Sequence, residues 1–189
     1  GNTRRRAVTN IRGSADEPMI LSIKRPAGTY LIGFMGCCKS TVGRMLADQI
    51  GWRFADLDDD VEAAANTSLT ELFTQQGEAE FRRFESEAIR QRVRRIQSGH
   101  PMVLALGGGA FTQQPTIELI ENNGVTIWLD ADFPVVKKRV GMASHRPLAR
   151  NAERFAELFQ ERRENYAKAE YRILIPEDDS RAALHDILR

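Results

Sequence analysis

The chain carries almost no net charge: 27 basic residues stand against 26 acidic ones over 189 positions, a formal charge of +1. No global field marks it for nucleic acid or for an anionic membrane. Cysteine is nearly absent. The two present, Cys37 and Cys38, are adjacent and cannot staple distant segments. A disulfide framework is excluded, and a reducing cytoplasm is the expected home. No apolar run approaches the roughly 18–20 residues of a membrane span, and the N-terminus lacks the apolar core of a secretory signal. The length suits a single domain able to bury a core.

What the chain does have is a stretch around which the rest can be placed. Thr29-Tyr30-Leu31-Ile32 is a short apolar run that ends in Gly33 and loops through Phe34-Met35-Gly36-Cys37-Cys38. It then presents Lys39-Ser40-Thr41 at the head of an amphipathic segment. The order is strand, phosphate-cradling loop, helix. Loop N–H groups and a helix N-terminus favour an anion. Lys39 supplies a positive charge toward outer phosphates, and the Ser40 hydroxyl is a hard oxygen suited to Mg²⁺. The pattern asks for glycine immediately before the lysine, and this chain has Cys38. If that position requires positive φ, a cysteine there is strained.

From residue 29 onward, strand and helix signals alternate. The helix from Lys39 places Val42, Met45, Leu46 and Ile50 on one face and stops at Gly51. A second strand is expected over 52–57, running into Asp56-Leu57-Asp58-Asp59-Asp60. Ser68 with Glu71 is a capping box for a short helix ending near Gly77. Phe81, Phe84, Ala88, Val93 and Ile96 continue helical spacing. Residues 102–106 read as a buried parallel strand opening into Gly107-Gly108-Gly109. A helix near 117–121, a strand over 125–129, a helix from Asp132-Phe133-Pro134, a long helix over 152–170, a fifth strand over 171–175 and a terminal helix capped by Ser180 complete the series. Five strands separated by helices imply a parallel sheet flanked on both faces, with ligands at the carboxyl ends of the strands. Residues 1–27, polar and containing Arg4-Arg5-Arg6, are expected to form a flexible extension to a domain over 28–189.

Several groups of residues carry the chemistry. Asp56 and Asp58, placed on one pleat face of the second strand, are candidates for holding Mg²⁺ through water and for orienting or deprotonating an attacking hydroxyl. Arg82 or Arg83, beside the buried Phe81 and Phe84, offers a bidentate fork to a carboxylate. Three glycines after a buried strand suit backbone that approaches a ligand closely. The basic stretch around Arg146 reads as a lid, over about 141–151, whose arginine stabilises a transferring phosphoryl group and excludes water.

In their order and spacing these elements resemble the shikimate kinase family. They are Gly-Phe-Met-Gly-x-x-Lys-Ser-Thr-Val-Gly-Arg, Phe54-Ala55-Asp56-Leu57-Asp58 with Val61-Glu62, and Gly77-Glu78-x-Glu80-Phe81-Arg82-Arg83-x-Glu85. The triple glycine, Arg146-Pro147-Leu148 and Arg162 four before Tyr166 follow. The resemblance runs from about residue 30 to the C-terminus. It implies a P-loop kinase with a five-stranded parallel sheet and a moving lid. It implies transfer of the ATP γ-phosphoryl to the 3-hydroxyl of shikimate. Gly36, Cys37, Cys38, Lys39, Ser40 and Thr41 would wrap the ATP phosphates, Ser40 would hold Mg²⁺, and Asp56 would reach it through water. Asp58 would hold and activate the acceptor. Arg82 and Arg162 would clamp its carboxylate, and Gly107, Gly108 and Gly109 would meet it by backbone. Arg139 would pack on adenine and Arg146 close over the phosphates, with Asp58, Lys39 and Arg146 as the catalytic set. A gluconate-type kinase and a non-catalytic ligand-sensing module are the alternatives. No nucleic-acid or membrane partner is expected, and a monomer is.

Overall fold

Residues 8–10, 28–34, 38–142 and 152–175 are described by the structure, a computed structural model. The elements are β1 (Val8–Asn10), β2 (Gly28–Ile32), α1 (Lys39–Ile50), β3 (Arg53–Asp56), α2 (Leu57–Ala65), α3 (Leu69–Gln97), β4 (Met102–Ala105), a 3-10 turn (Ala110–Thr112), α4 (Gln114–Glu121), β5 (Val125–Ala131), α5 (Phe133–Met142), α6 (Ala152–Tyr166) and β6 (Tyr171–Ile175). The sheet order is β1-β6-β5-β2-β4-β3. All pairings from β3 across to β6 are parallel. The five expected parallel strands are therefore present, with helices packed against them. A sixth strand joins them: Val8–Asn10 pairs antiparallel with β6 over Tyr171–Ile173. Its three residues carry no alternating pattern long enough to announce a strand.

The order places β2 at the centre, between β4 and β5. The chain leaves β2 toward β3 and β4, then crosses to β5 and β6, so the direction of winding reverses at β2. A crevice opens at such a switch point, outside the carboxyl ends of the strands. The strand sequences fit this position. Every residue of β4 is buried, and so are Tyr30, Leu31 and Ile32 of β2. Strands covered on both faces require unbroken apolar runs. Val42 and Leu46 of α1 seal one face, each contributing about 1.5–3 kcal/mol by burial. Met45 and Ile50, expected on the same face, stay partly or largely exposed.

Two helix boundaries depart from the sequence pattern. The break expected near Gly77 is a kink within α3, where Gly77 adopts φ 83° and ψ 175°. Only glycine visits that region readily. Ser68 caps α3 by accepting the N–H of Glu71 at 3.2 Å. The reciprocal half of the capping box is not formed, because the Glu71 carboxylate takes the Thr67 hydroxyl at 2.6 Å. Helix α6 ends at Tyr166, four residues earlier than its periodicity suggests. Turn-type bonds from Lys168 to Asn165 and from Ala169 to Tyr166 tighten the chain there. The Glu170 N–H then goes to Thr126 Oγ1 at 2.9 Å, delivering the chain to β6. The terminal helix expected from Ser180 lies outside the described residues.

Candidate active site

The phosphate loop begins where β2 ends. Lys39, the first residue of α1, folds back so that Nζ donates to the carbonyls of Gly33 at 2.7 Å and Phe34 at 3.1 Å. Its ammonium group is thereby held across the mouth of the loop. No acidic residue occupies the first turn of α1, leaving the positive end of the helix dipole for an outside anion. Thr41 is exposed on that first turn. Cys38 sits at φ 71° and ψ 24° and its carbonyl accepts the N–H of Val42 at 2.9 Å. The position does require positive φ, and a non-glycine residue fills it. Phe34 anchors the loop below, edge-on to Phe155 and Phe159 of α6 with centroids 5.3 Å from each. Gly36 and Cys37 lie outside the described residues.

Across the crevice the Ser40 hydroxyl donates a short hydrogen bond to Asp56 Oδ2. The other oxygen of Asp56 accepts the N–H of Asp58 at 3.0 Å. This geometry corrects the placement of Asp58. It does not share a pleat face with Asp56 on one strand. β3 stops at Asp56, which is the N-cap of α2, and Asp58 lies in the first helical turn. The physical reason is local. An aspartate side chain that captures the N–H two residues on favours a helix start. The acids Asp58, Asp59 and Asp60 suit the positive helix end, and Leu57 and Val61 bury the inner face. Asp58 still faces the ligand edge: a Cβ added to Gly107 would lie 2.8 Å from its Oδ1.

Around Asp58 the remaining charged residues converge. Arg82 is the arginine turned inward, with its side chain 19% exposed, whereas Arg83 is 63% exposed and pairs with Glu80. Arg82 donates from one terminal nitrogen to Glu85 Oε1 at 2.7 Å. Its Nε is buried without an acceptor among the described residues. Leaving such a donor unmatched costs about 1–3 kcal/mol. Gly109 lies directly against the guanidinium, since a Cβ there would meet Arg82 at 2.3 Å. Glu85 is 3% exposed. Burial raises its pKa above the ordinary carboxylate range and the Asp58 charge adds to that, while Arg82 and Arg162 lower it. Asp58, Arg82, Glu85 and Arg162 are thus one electrostatic group. Glu85 closes the motif that begins at Gly77 but has no expected role, although an acid three and four residues before the buried Ala88 and Ile89 marks it as lying on the inward face of α3.

The triple glycine is held from α6 as well. The Tyr166 hydroxyl donates a short hydrogen bond to the carbonyl of Gly108, and Arg162 stands one helical turn before Tyr166. Arg139 falls on α5. Arg146 and the lid segment from residue 143 lie outside the described residues, and residues 141 and 142 are the last of α5. Among the described residues no cluster of three or more His, Cys, Asp or Glu could hold a metal by itself. A cation that works on phosphates takes one or two protein oxygens, with phosphates and water completing its shell. The adjoining Ser40 hydroxyl and Asp56 carboxylate provide such a pair. No helix among the described residues is long and apolar enough to cross a membrane.

A lysine and serine opening a helix at the switch point of a parallel sheet, with a carboxylate at the end of β3 bonded to that serine, define a P-loop phosphotransferase of the small-molecule kinase type. Known proteins narrow this class. Residues 35–189 match the family model for shikimate kinase. A shikimate kinase from Persephonella marina is 36% identical over 145 residues, 76% of this chain and 86% of its own. The structure of shikimate kinase from Acinetobacter baumannii in complex with shikimate superposes with a TM-score of 0.75 at 28% identity, covering 87% of this chain and 90% of that one. The chain belongs to the shikimate kinase family. A gluconokinase from Sinorhizobium meliloti, at 16% identity over 88% of this chain and 94% of its own with a TM-score of 0.51, shares only the fold.

Proposed function

We propose that this enzyme transfers the γ-phosphoryl group of ATP to the 3-hydroxyl of shikimate, giving shikimate 3-phosphate and ADP in aromatic amino-acid (chorismate) biosynthesis. The observation that carries the reading is the grouping of Asp58, Arg82 and Glu85 around Gly107 and Gly109, with the charge of Arg162 acting on Glu85. It offers a carboxylate for hydroxyl groups and two guanidinium groups for an acid, which is the chemistry of a hydroxylated ring carboxylate.

In this reading the acceptor carboxylate lies between Arg82 and Arg162. Gly107, Gly108 and Gly109 allow its ring to approach backbone. Asp58 accepts a hydrogen bond from the 3-hydroxyl and takes its proton as the oxygen bonds to the γ-phosphorus. The bond between that phosphorus and the β–γ bridging oxygen breaks, and ADP leaves. Lys39 exchanges its carbonyl partners for outer phosphate oxygens and stabilises the developing charge. Gly36, Cys37, Cys38 and Thr41 contribute the rest of the phosphate cradle. Ser40, and Asp56 through water, would hold Mg²⁺, which when bound would supply positive charge against the phosphates. Arg139 packs on adenine, and Arg146 covers the transferring group. A cytoplasmic monomer is the form in which we expect it to work.

A coupled assay for ADP release from Mg-ATP, with and without shikimate, tests this directly. Shikimate-dependent turnover is expected from the parent, and its absence would refute the function, with shikimate binding alone favouring a sensing role. In Asp58→Asn, kcat should fall about 10²–10⁴-fold with the KM for ATP nearly constant. Unimpaired turnover would remove Asp58 from the chemistry.

A further inference from the structure

The three glycines after β4 are fixed by different means. The Gly107 carbonyl accepts the N–H of Ala110 at 3.1 Å, and the Gly109 carbonyl accepts the N–H of Thr112 at 3.2 Å and its hydroxyl at 2.6 Å. These are local turn bonds. The Gly108 carbonyl is tied instead by the Tyr166 hydroxyl, from a helix 58 residues away in sequence. A peptide unit is planar and trans, so the carbonyl of Gly108 and the N–H of Gly109 point in opposite directions. Holding the carbonyl toward α6 turns the Gly109 N–H away from it.

Helix α6 is itself held in one rotation. Arg163 pairs with the buried Asp130 of β5 at 2.5 Å and 3.2 Å. Arg172 of β6 holds the same carboxylate at 2.8 Å and 2.5 Å. Both guanidinium groups lie over the Trp128 ring, at 5.1 Å and 4.9 Å. Tyr166 is 1% exposed and packs its own ring on Trp128 at 6.1 Å. With α6 so fixed, Arg162 and Tyr166 share one helix face, being four residues apart.

From this geometry we infer that Tyr166 is a positioning residue for the acceptor site: it sets the direction of the Gly108–Gly109 peptide while the same helix presents Arg162. The inference rests on the reading of the triple glycine and Arg162 as acceptor contacts. A flexible glycine run would otherwise sample many peptide orientations, and binding would bear the cost of ordering it. The Tyr166 hydroxyl removes that freedom at the Gly108–Gly109 peptide, which the turn bonds leave untied.

The test is Tyr166→Phe, which keeps the ring and its packing, set beside Arg162→Ala and the parent. Shikimate and ATP are titrated separately, and glycine-selective ¹⁵N spectra are recorded without ligand. We expect the Gly109 amide resonance to shift or broaden in Tyr166→Phe. We expect the KM for shikimate to rise about 2- to 10-fold, with kcat and the KM for ATP within twofold. A KM for shikimate equal to the parent's overturns the inference, even if the melting temperature drops, because the hydroxyl would then serve stability alone. Equal rises in both KM values overturn it too, as would an unmoved Gly109 resonance. Arg162→Ala separates this from the underlying reading: if it leaves shikimate binding intact the carboxylate clamp fails, whatever Tyr166→Phe does.

Discussion

Gly109→Ala isolates one contact of the proposed acceptor site. The backbone at Gly109 has φ −100° and ψ −5°, which alanine adopts without strain. Its unfolded chain would be slightly less free than glycine's, which favours the folded state by about 0.4–1 kcal/mol. What stands in the way is Arg82. The new methyl carbon would lie 2.3 Å and 2.7 Å from the two terminal guanidinium nitrogens and 2.9 Å from the central carbon. A guanidinium at the end of a long side chain can step aside, so the fold should survive. In stepping aside, however, Arg82 leaves the position in which it would meet a carboxylate. A hydrogen bond to a charged group contributes about 1.5–3 kcal/mol, or roughly 10- to 150-fold in affinity. The KM for shikimate should rise by at least about tenfold, the KM for ATP should stay near the parent's, and the melting temperature should change little. Two titrations in the ADP-release assay and one thermal scan decide it. An unchanged KM for shikimate would refute the placement of Arg82, and parallel losses for both substrates would refute the separation of the sites.

At Cys38 the left-handed conformation costs a non-glycine residue about 1–2 kcal/mol, partly offset because glycine is freer when unfolded. Cys38→Gly should therefore be more stable than Cys38→Ala by about 1 kcal/mol, a melting difference of roughly 2–4 °C. The pair separates strain from loss of the thiol, and an alanine variant as stable as the glycine one would refute strain. Glu85 gives a pH signature. Its pKa is raised mainly by burial above the ordinary 4.5, so the folded protein keeps that proton to higher pH than the unfolded chain. Stability from this group is greatest below the unfolded value and declines as pH rises through the folded one. The melting temperature of the parent minus that of Glu85→Gln should decrease as pH rises from about 4 to 7; a difference that grows with pH contradicts the burial argument.

The sequence pattern made much of this legible because the parallel sheet demands it. Buried runs such as 102–106 have no alternative reading once a glycine turn follows, and the lysine and serine at the head of α1 name their own ligand. Asp58 was placed in the right neighbourhood on the wrong element. An Asp-Leu-Asp run satisfies both the alternation of a strand and the chemistry of a helix cap, and only the bond from Asp56 to the Asp58 N–H decides between them. The role of Glu85 is hidden because, apart from Arg82 on its own helix, the charges that act on it, Arg162 and Asp58, come from other segments. Tyr166 was noted only as part of a spacing, since nothing local reveals that its hydroxyl reaches Gly108. The strand Val8–Asn10 is not legible in the sequence because three residues are too short to show an alternation, and they acquire strand geometry only from the edge of β6 that they pair with.

The central place of β2 has a consequence for how such an enzyme diversifies. The residues proposed for the acceptor, Asp58, Arg82 and Gly107, fall on the β3–β4 flank of the phosphate loop. Arg139, proposed for the base, follows β5 on the other flank. In the proposed reading, donor and acceptor recognition are therefore largely modular, with the loop as their main border. One flank can be rewritten for a new alcohol while the other keeps its nucleotide. Arg162 and Tyr166 are the exception in that reading, serving the acceptor from a helix that precedes β6, and they are where such rewriting would first be felt on both sides.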